Sequence, residues 1–171
     1  MMQRGGIPKF MVLSMALPAV AFMVFLIWPV WACGCEGAHA VGCMSNLKQT
    51  ALGSLMYATD NDERLPLASN WADSTLRYVK GGKEEFRCTE FKEDRTADEF
   101  GHAFWRSLGG VNQDHIEDPV EAIMQFDSDD FLWNANGDFD QLPPSGRHKN
   151  DRDSFAFADG HVKTTIPLWL L

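Results

Sequence analysis

The chain has 171 residues and carries 24 acidic against 15 basic side chains, a formal net charge of −9 at neutral pH. All the acidic residues lie beyond Cys35, so the rest of the chain is strongly acidic and lacks the basic stripe that contact with nucleic-acid phosphates requires. From about residue 43 onward there is length for one domain with one core and too little for two.

The first predicted element is a membrane helix over 10–32. Between Phe10 and Ala32 there is no ionisable side chain, and eleven residues are Leu, Ile, Val or Phe. At roughly −0.3 to −0.6 kcal/mol each near a helix centre, these favour insertion by about 3 to 7 kcal/mol. Pro18 and Pro29 subtract from this, less in a membrane helix than in water. Arg4 and Lys9 are the only charges before the span, which leaves 1–9 in the cytoplasm by the positive-inside rule. The reading is a single-pass protein of the inner (cytoplasmic) membrane, with a membrane-exit linker over 33–43. Its domain over 44–171 is then periplasmic or extracellular. Two alternatives also export the chain. One is a cleaved signal ending at Val30-Trp31-Ala32 or Ala38-His39-Ala40, although signal cores run only about 7 to 15 residues. The other is a lipidated Cys33, beside which Trp31 fits poorly.

Export favours disulfides, and the cysteines stand at 33, 35, 43 and 88. Cys43 precedes an amphipathic helix and Cys88 follows Phe86-Arg87, so Cys43–Cys88 is the natural pairing. Closing that loop contributes about 4 kcal/mol in the chain-entropy description. Cys33 and Cys35 form C-x-C, not the C-x-x-C of redox or zinc sites.

Met44, Leu47, Ala51, Leu55 and Ala58 recur at helical spacing, with Leu52 and Met56 widening the stripe and Ser45 or Asn46 as cap. This helix ends in Asp60-Asn61-Asp62-Glu63, a solvated turn without the central Gly of an EF-hand. A second short helix spans Asn70 to Val79, stopped by Gly81-Gly82. Thr89 to Asp114 reads as an irregular loop that Phe100, Phe104 and Trp105 anchor to the core. A strand follows over Ala122 to Phe126, and a loop over Asn134 to Gly146. The clearest signal is a hairpin, 154–158 and 161–166, joined by Asp159-Gly160 in a two-residue type I′ turn. Along its first strand Phe155 and Phe157 face one way, Ala156 and Ala158 the other. The order gives an α+β fold, with Met44, Leu47, Leu55, Phe155 and Phe157 as core.

The ordered series Cys43-x-x-Asn46-Leu47-Lys48-Gln49, Tyr57-Ala58-x-Asp60-Asn61-Asp62-Glu63-Arg64-Leu65-Pro66, Trp71 and Phe86-Arg87-Cys88 resembles a known family. Asp118-Pro119, Phe126-Asp127, Arg147-His148 and Phe157-Ala158-Asp159-Gly160-His161-Val162-Lys163 continue the likeness to about residue 166. The family is that of planctomycete-type prepilin-like proteins with a C-terminal H-x9-DG processing-associated domain, similar to pseudopilins of type II secretion or type IV pilus systems. The resemblance implies a pilin-like fold, in which the membrane and amphipathic helices pack on a small antiparallel sheet. It also implies a structural, non-catalytic role and partners among other pilin-like subunits or inner-membrane secretion components. Its motif residues are His148, Asp159 and Gly160. Two departures stand out. Ten residues separate His148 from Asp159, one more than the family spacing, an insertion assigned to Lys149–Asp153. The family's Gly-Phe-Thr-Leu-x-Glu leader is replaced by Gly6-Ile7-Pro8-Lys9-Phe10-Met11, so cleavage after Gly6 puts Met11 where the family has Glu. That glutamate pairs with a neighbour's N-terminal amine inside the membrane, where an unpaired charge is expensive.

The alternative function is a calcium-binding exported module. Asp127, Asp129, Asp130, Asp138 and Asp140 supply hard oxygen ligands across the 134–146 loop, and some major pseudopilins hold calcium in a C-terminal loop. No other cofactor is expected. An enzyme assembled from His148, Asp159 and His161, with His102 and His115 elsewhere, has no supporting H-E-x-x-H, G-x-S-x-G or P-loop pattern.

Overall fold

The computed structural model describes residues 17–18, 20–26, 35–88, 98–148 and 150–166. The chain divides into two units, Met1–Ala38 and His39–Leu171. In the first, Leu17, Pro18 and 20–26 are helical, with Leu17, Phe22 and Phe25 exposed. Among the described residues no helix is long and apolar enough to cross a membrane. Much of the predicted span over 10–32, and Cys33, lie outside the described residues.

Helix α1 runs Cys35–Asp60. It therefore begins well before the predicted cap, and 35–43, read above as linker, is helical. Ser45 is not a start signal, and Asn46 instead donates its amide Nδ2 to Arg87 O at 2.8 Å. The buried face is Cys43, Leu47, Thr50, Ala51, Ser54 and Ala58. Leu52 and Met56, predicted to widen the apolar stripe, are exposed, and Met44 and Leu55 are half-buried. The stripe is displaced because the middle of the helix presents hydroxyls to a polar strand residue. Thr50 Oγ1 donates to Gln125 Oε1 at 2.7 Å, and Gln125 Nε2 donates to Ser54 Oγ at 2.8 Å. The helix ends as expected: Asn61 Nδ2 caps Tyr57 O at 2.7 Å, and Asp62 and Glu63 turn through positive φ.

The second predicted helix is shorter, with α2 over Trp71–Thr75 and a 3-10 turn over Leu76–Tyr78. A second 3-10 turn, Gly82–Phe86, brings the chain to Cys88. The sheet has five strands in the order β3-β1-β2-β4-β5: β1 His102–Trp105, β2 Ile123–Asp127, β3 Asn136–Gly137, β4 Asp153–Phe157 and β5 Val162–Thr165. The fold is α+β. Contrary to the expectation of a loop, β1 lies inside Thr89–Asp114, and β3 lies inside the predicted 134–146 loop. The expected antiparallel sheet is mixed: β3 pairs parallel with β1, and every other pairing is antiparallel.

Both faces of the sheet are covered, which is why β4 is buried at every position. One face packs Phe104, Met124 and Ala156 with Leu47, Ala51, Trp71 and Phe86. The other packs Phe126, Phe155 and Phe157 with Ala103, Ala135 and Leu142. The alternation read along β4 is therefore correct, but Phe155 and Phe157 build a second core away from α1. A register shift between Ile123 and Gln125 lets Met124 and Gln125, adjacent in sequence, both serve the α1 side. Trp71 anchors the first core: its rings lie 5.4 Å from Phe86 and 5.8 Å from Phe104, and its Nε1 donates to Ala135 O at 2.8 Å.

The β4–β5 turn differs from the prediction. Gly160 has φ +85°, whereas Asp159 is not at positive φ, which excludes a type I′ turn. Gly160 N donates to Phe157 O and Phe157 N to His161 O, so the loop is Ala158-Asp159-Gly160. This is the three-residue hairpin with a left-handed third position. Two successive positive φ angles occur instead at Asn150 and Asp151, inside the 149–153 insertion, where His148 and Arg152 exchange backbone hydrogen bonds. Lys48 Nζ reaches Gly160 O and pins the turn to α1.

Trp71→Ala is expected to cost about 3–5 kcal/mol, read as a lowered denaturant midpoint at unchanged slope. Gly160→Ala is expected to cost about 1–2 kcal/mol for the left-handed backbone. Gly160→Asn should recover part of that loss, because Asn tolerates positive φ. Equal losses for Ala and Asn would locate the cost in the contact of the added Cβ with Leu55 Cδ1 at 2.9 Å.

Candidate functional site, a sealed cysteine–histidine–aspartate cluster

The densest chemistry in the described chain lies at one end of the β1–β2–β4 sheet. Antiparallel pairing sets His102 opposite Asp127. Asp127 closes β2, Ser154 lies in β4, and His148 enters on the two-residue bridge with Arg152. Cys43 comes from α1 and Cys88 from beyond the Gly82–Phe86 turn, where Cys88 N donates to Phe100 O at 3.2 Å. Cys43 and Cys88 are disulfide-bonded, with Cα atoms 4.5 Å apart, as the sequence predicted.

Asp127 is completely buried, and a buried carboxylate is tolerated only when it is partnered. Its Oδ2 lies 2.8 Å from His148 Nε2 and accepts from Ser154 N at 2.7 Å. Its Oδ1 lies 3.5 Å from His102 Nε2 and 3.4 Å from Cys43 Sγ. Burial alone raises the Asp127 carboxyl. The His148 hydrogen bond, helped by the nearby Arg147 charge, outweighs it and holds the group below the usual carboxylate range. Burial pushes His102 down to about 4, against the pull of Asp127, so it is neutral at physiological pH. Its Nδ1 has no hydrogen-bond partner among the described residues. Nearby, burial raises Asp153 to about 7, although Arg147 N donates to it.

Ser154, His148 and Asp127 have the composition of a hydrolase triad but not its wiring. A triad places the nucleophile and the carboxylate on opposite ring nitrogens of the histidine base. Here the single His148 Nε2 lies 3.0 Å from Ser154 Oγ and 2.8 Å from Asp127 Oδ2. All three side chains are buried, so no substrate reaches them. Asp159 and His161, the other members of the imagined enzyme set, pair with each other at the hairpin turn at 2.7 Å, with His161 stacked on Phe157 at 4.2 Å. His115 lies in the Gln113–His115 3-10 turn. The motif thus splits: His148 belongs to the buried cluster, and Asp159 with Gly160 forms the turn.

The five aspartates proposed for calcium are not brought together. Asp127 faces the disulfide, and Asp129 meets Arg147 at 3.4 Å. Asp138 meets Arg106 at 3.4 Å. Asp130 Oδ1 accepts from Leu132 N, and Asp140 sits in the Phe139–Gln141 turn. Among the described residues the one group of three or more metal-ligating side chains is Cys43, Cys88, Asp127 and His148. Sequence reading had assigned Asp127 to another site and left His102 without a role. The signal available was that Asp127 follows Ile123, Met124 and Phe126 as the fifth residue of one strand rather than opening the loop after it.

No protein-family model, curated protein or solved structure matches this chain.

Asp127→Ala is expected to destabilise by about 3–5 kcal/mol, because it leaves the remaining buried polar groups uncompensated. In a double-mutant cycle with His148→Ala, the coupling should exceed about 1 kcal/mol. Additive losses would show that the two residues do not act as a pair.

Proposed function

We propose that the chain is a membrane-anchored, pilin-like structural subunit of a type II secretion or type IV pilus-like apparatus, without catalytic activity. The observation that carries this reading is the packing of α1. Over Cys43 to Ala58 one face of the helix lies against an α+β domain, stapled by a disulfide at its start and by Lys48 to the last hairpin turn. That arrangement suits a subunit that must display a rigid domain on a helix. The uncharged run over 10–32 supports a single inner-membrane span with the N-terminus in the cytoplasm. Sealing of the most reactive cluster supports a non-catalytic role. An exposed cleft of about 440 Å³ beside Tyr57, Asp60, Asp62 and Arg64 offers no nucleophile and base in contact. Its Asp60 already accepts from Tyr78 at 2.8 Å.

The partners in this reading are other pilin-like subunits or inner-membrane secretion components. Met11, in place of the membrane glutamate, suits a subunit at a tip or outside the shaft. The test is intact mass and N-terminal sequencing of membrane-fraction protein, followed by detergent pulldown. An N-terminus at Ile7 or Met1 with pilin-like proteins recovered is the expected result. A start at Cys33 or Val41, or a chain always recovered alone, overturns the proposal.

A further inference from the structure

We propose that the dithiol form of this chain binds one zinc-class divalent ion between Cys43, Cys88, Asp127 and His148. One ligand atom from each lies within 4.8 Å of the others, and all four residues are buried. A tetrahedral ion with bonds of about 2.3 Å to sulfur and about 2.0–2.2 Å to nitrogen or oxygen holds its donors roughly 3.2–3.8 Å apart. The cluster therefore needs adjustments of about an ångström or less between most donors. The one large change is between the sulfurs, which must be unbonded and stand about 3.7 Å apart.

The donor chemistry selects the ion. Two thiolates, an imidazole and one carboxylate suit zinc or cobalt, whereas calcium asks for six to eight oxygens. The five-aspartate expectation and this cluster thus point to different metals, and only the latter has its ligands assembled.

A second observation concerns what Asp127 faces. Its Oδ1 lies 3.4 Å from Cys43 Sγ, and a disulfide sulfur has no proton to donate. Among the described residues the other contact of that oxygen, His102 Nε2, is long at 3.5 Å. The oxidised form therefore leaves an anionic oxygen aimed at a sulfur that gives it nothing, and a cation between the two satisfies both. His102 stands behind this contact, with Nε2 3.4 Å from Cys43 Sγ, and would orient Asp127 rather than bind the ion.

Binding removes two thiol protons and transfers no electrons. Forming the Cys43–Cys88 bond removes two electrons, taken by an external disulfide such as oxidised glutathione, and expels the ion. The same two sulfurs cannot do both, so the compartment decides: a bridge where oxidants prevail, an ion where thiols are kept reduced. This proposal does not depend on the pilin-like reading.

The experiment uses the full chain, purified in detergent under anaerobic reducing conditions and titrated with Co²⁺. Thiolate charge transfer and intense visible bands of tetrahedral cobalt should saturate at one equivalent, bleach with zinc and disappear when oxidised glutathione is added. Asp127→Asn and His148→Gln should each weaken binding at least about tenfold, Cys43→Ser should roughly halve the charge-transfer intensity per bound cobalt, and Cys43→Ser combined with Cys88→Ser should abolish the band. Asp129→Asn and Asp138→Asn should leave the titration unchanged. A folded dithiol chain that gives no such bands, or gives only the weak spectrum of octahedral cobalt, overturns the proposal. So does full-strength binding in both Asp127→Asn and His148→Gln. If the reduced chain loses its helical circular dichroism, one equivalent of zinc must restore it, and failure to do so is equally fatal.

Discussion

A carboxylate with no exposed surface must be compensated from every side, and Asp127 sets that condition at the heart of this domain. Meeting it requires β4 to bring Ser154 N, the 148–152 bridge to bring His148, and β1 to bring His102 into pairing register. Cys43 of α1, held in the disulfide, lies against the other carboxylate oxygen at 3.4 Å without donating to it. Four stretches of chain, from α1, β1, β2 and 148–157, thus meet around a single charge. Shifting any strand by one residue turns its side chains to the opposite face and strands the anion. Removing one partner of such a buried group is costly even though the assembled group adds little net stability over apolar side chains of the same volume.

A second polar device sits between helix and sheet. Gln125 has both ends of its amide engaged by Thr50 and Ser54, so α1 is fixed on the sheet in rotation and in height as well as by apolar contact. Leucines at those positions would bury more apolar surface but would let the helix slide. The cost of this choice is visible on the outside, where Leu52 and Met56 remain in solvent.

Much of the fold was legible in the residues. The Leu47, Ala51 and Ala58 face of α1, the 60–63 turn, β2, the two strands of the final hairpin and the Cys43–Cys88 bridge were readable, whereas the type of the hairpin turn was not. What was not legible has physical causes. Strand β1 carries His102 and Trp105, follows Gly101 and precedes Gly109-Gly110 by a short turn, so it looks like a loop until β2 and β3 supply its partners. Strand β3 is only Asn136–Gly137 and exists through its neighbour. Residues 35–43 contain Gly37 and Gly42, which lower helix propensity, yet the helix continues. In the site, the carboxylate-rich stretch after Phe126 suggested calcium. Strand direction instead sends Asp127 inward while Arg147 and Arg106 take up Asp129 and Asp138. Composition identifies acidic residues, but only topology decides which of them converge.

The disulfide spans 45 residues of sequence, and its position matters to how the domain carries mechanical load. Tension applied at the N-terminus enters at Cys43 and crosses the covalent bond directly to Cys88. The part of α1 after Cys43, with α2 and the 3-10 turns, then lies off the force path and cannot be peeled away turn by turn. About 150 Å of contour length, at about 3.4 Å per residue, is withheld from extension until that bond breaks. A domain tugged by its own helix would, in this design, yield outside the bridged loop, and the helix turns from Cys43 to Asp60 would keep their place while the bond holds.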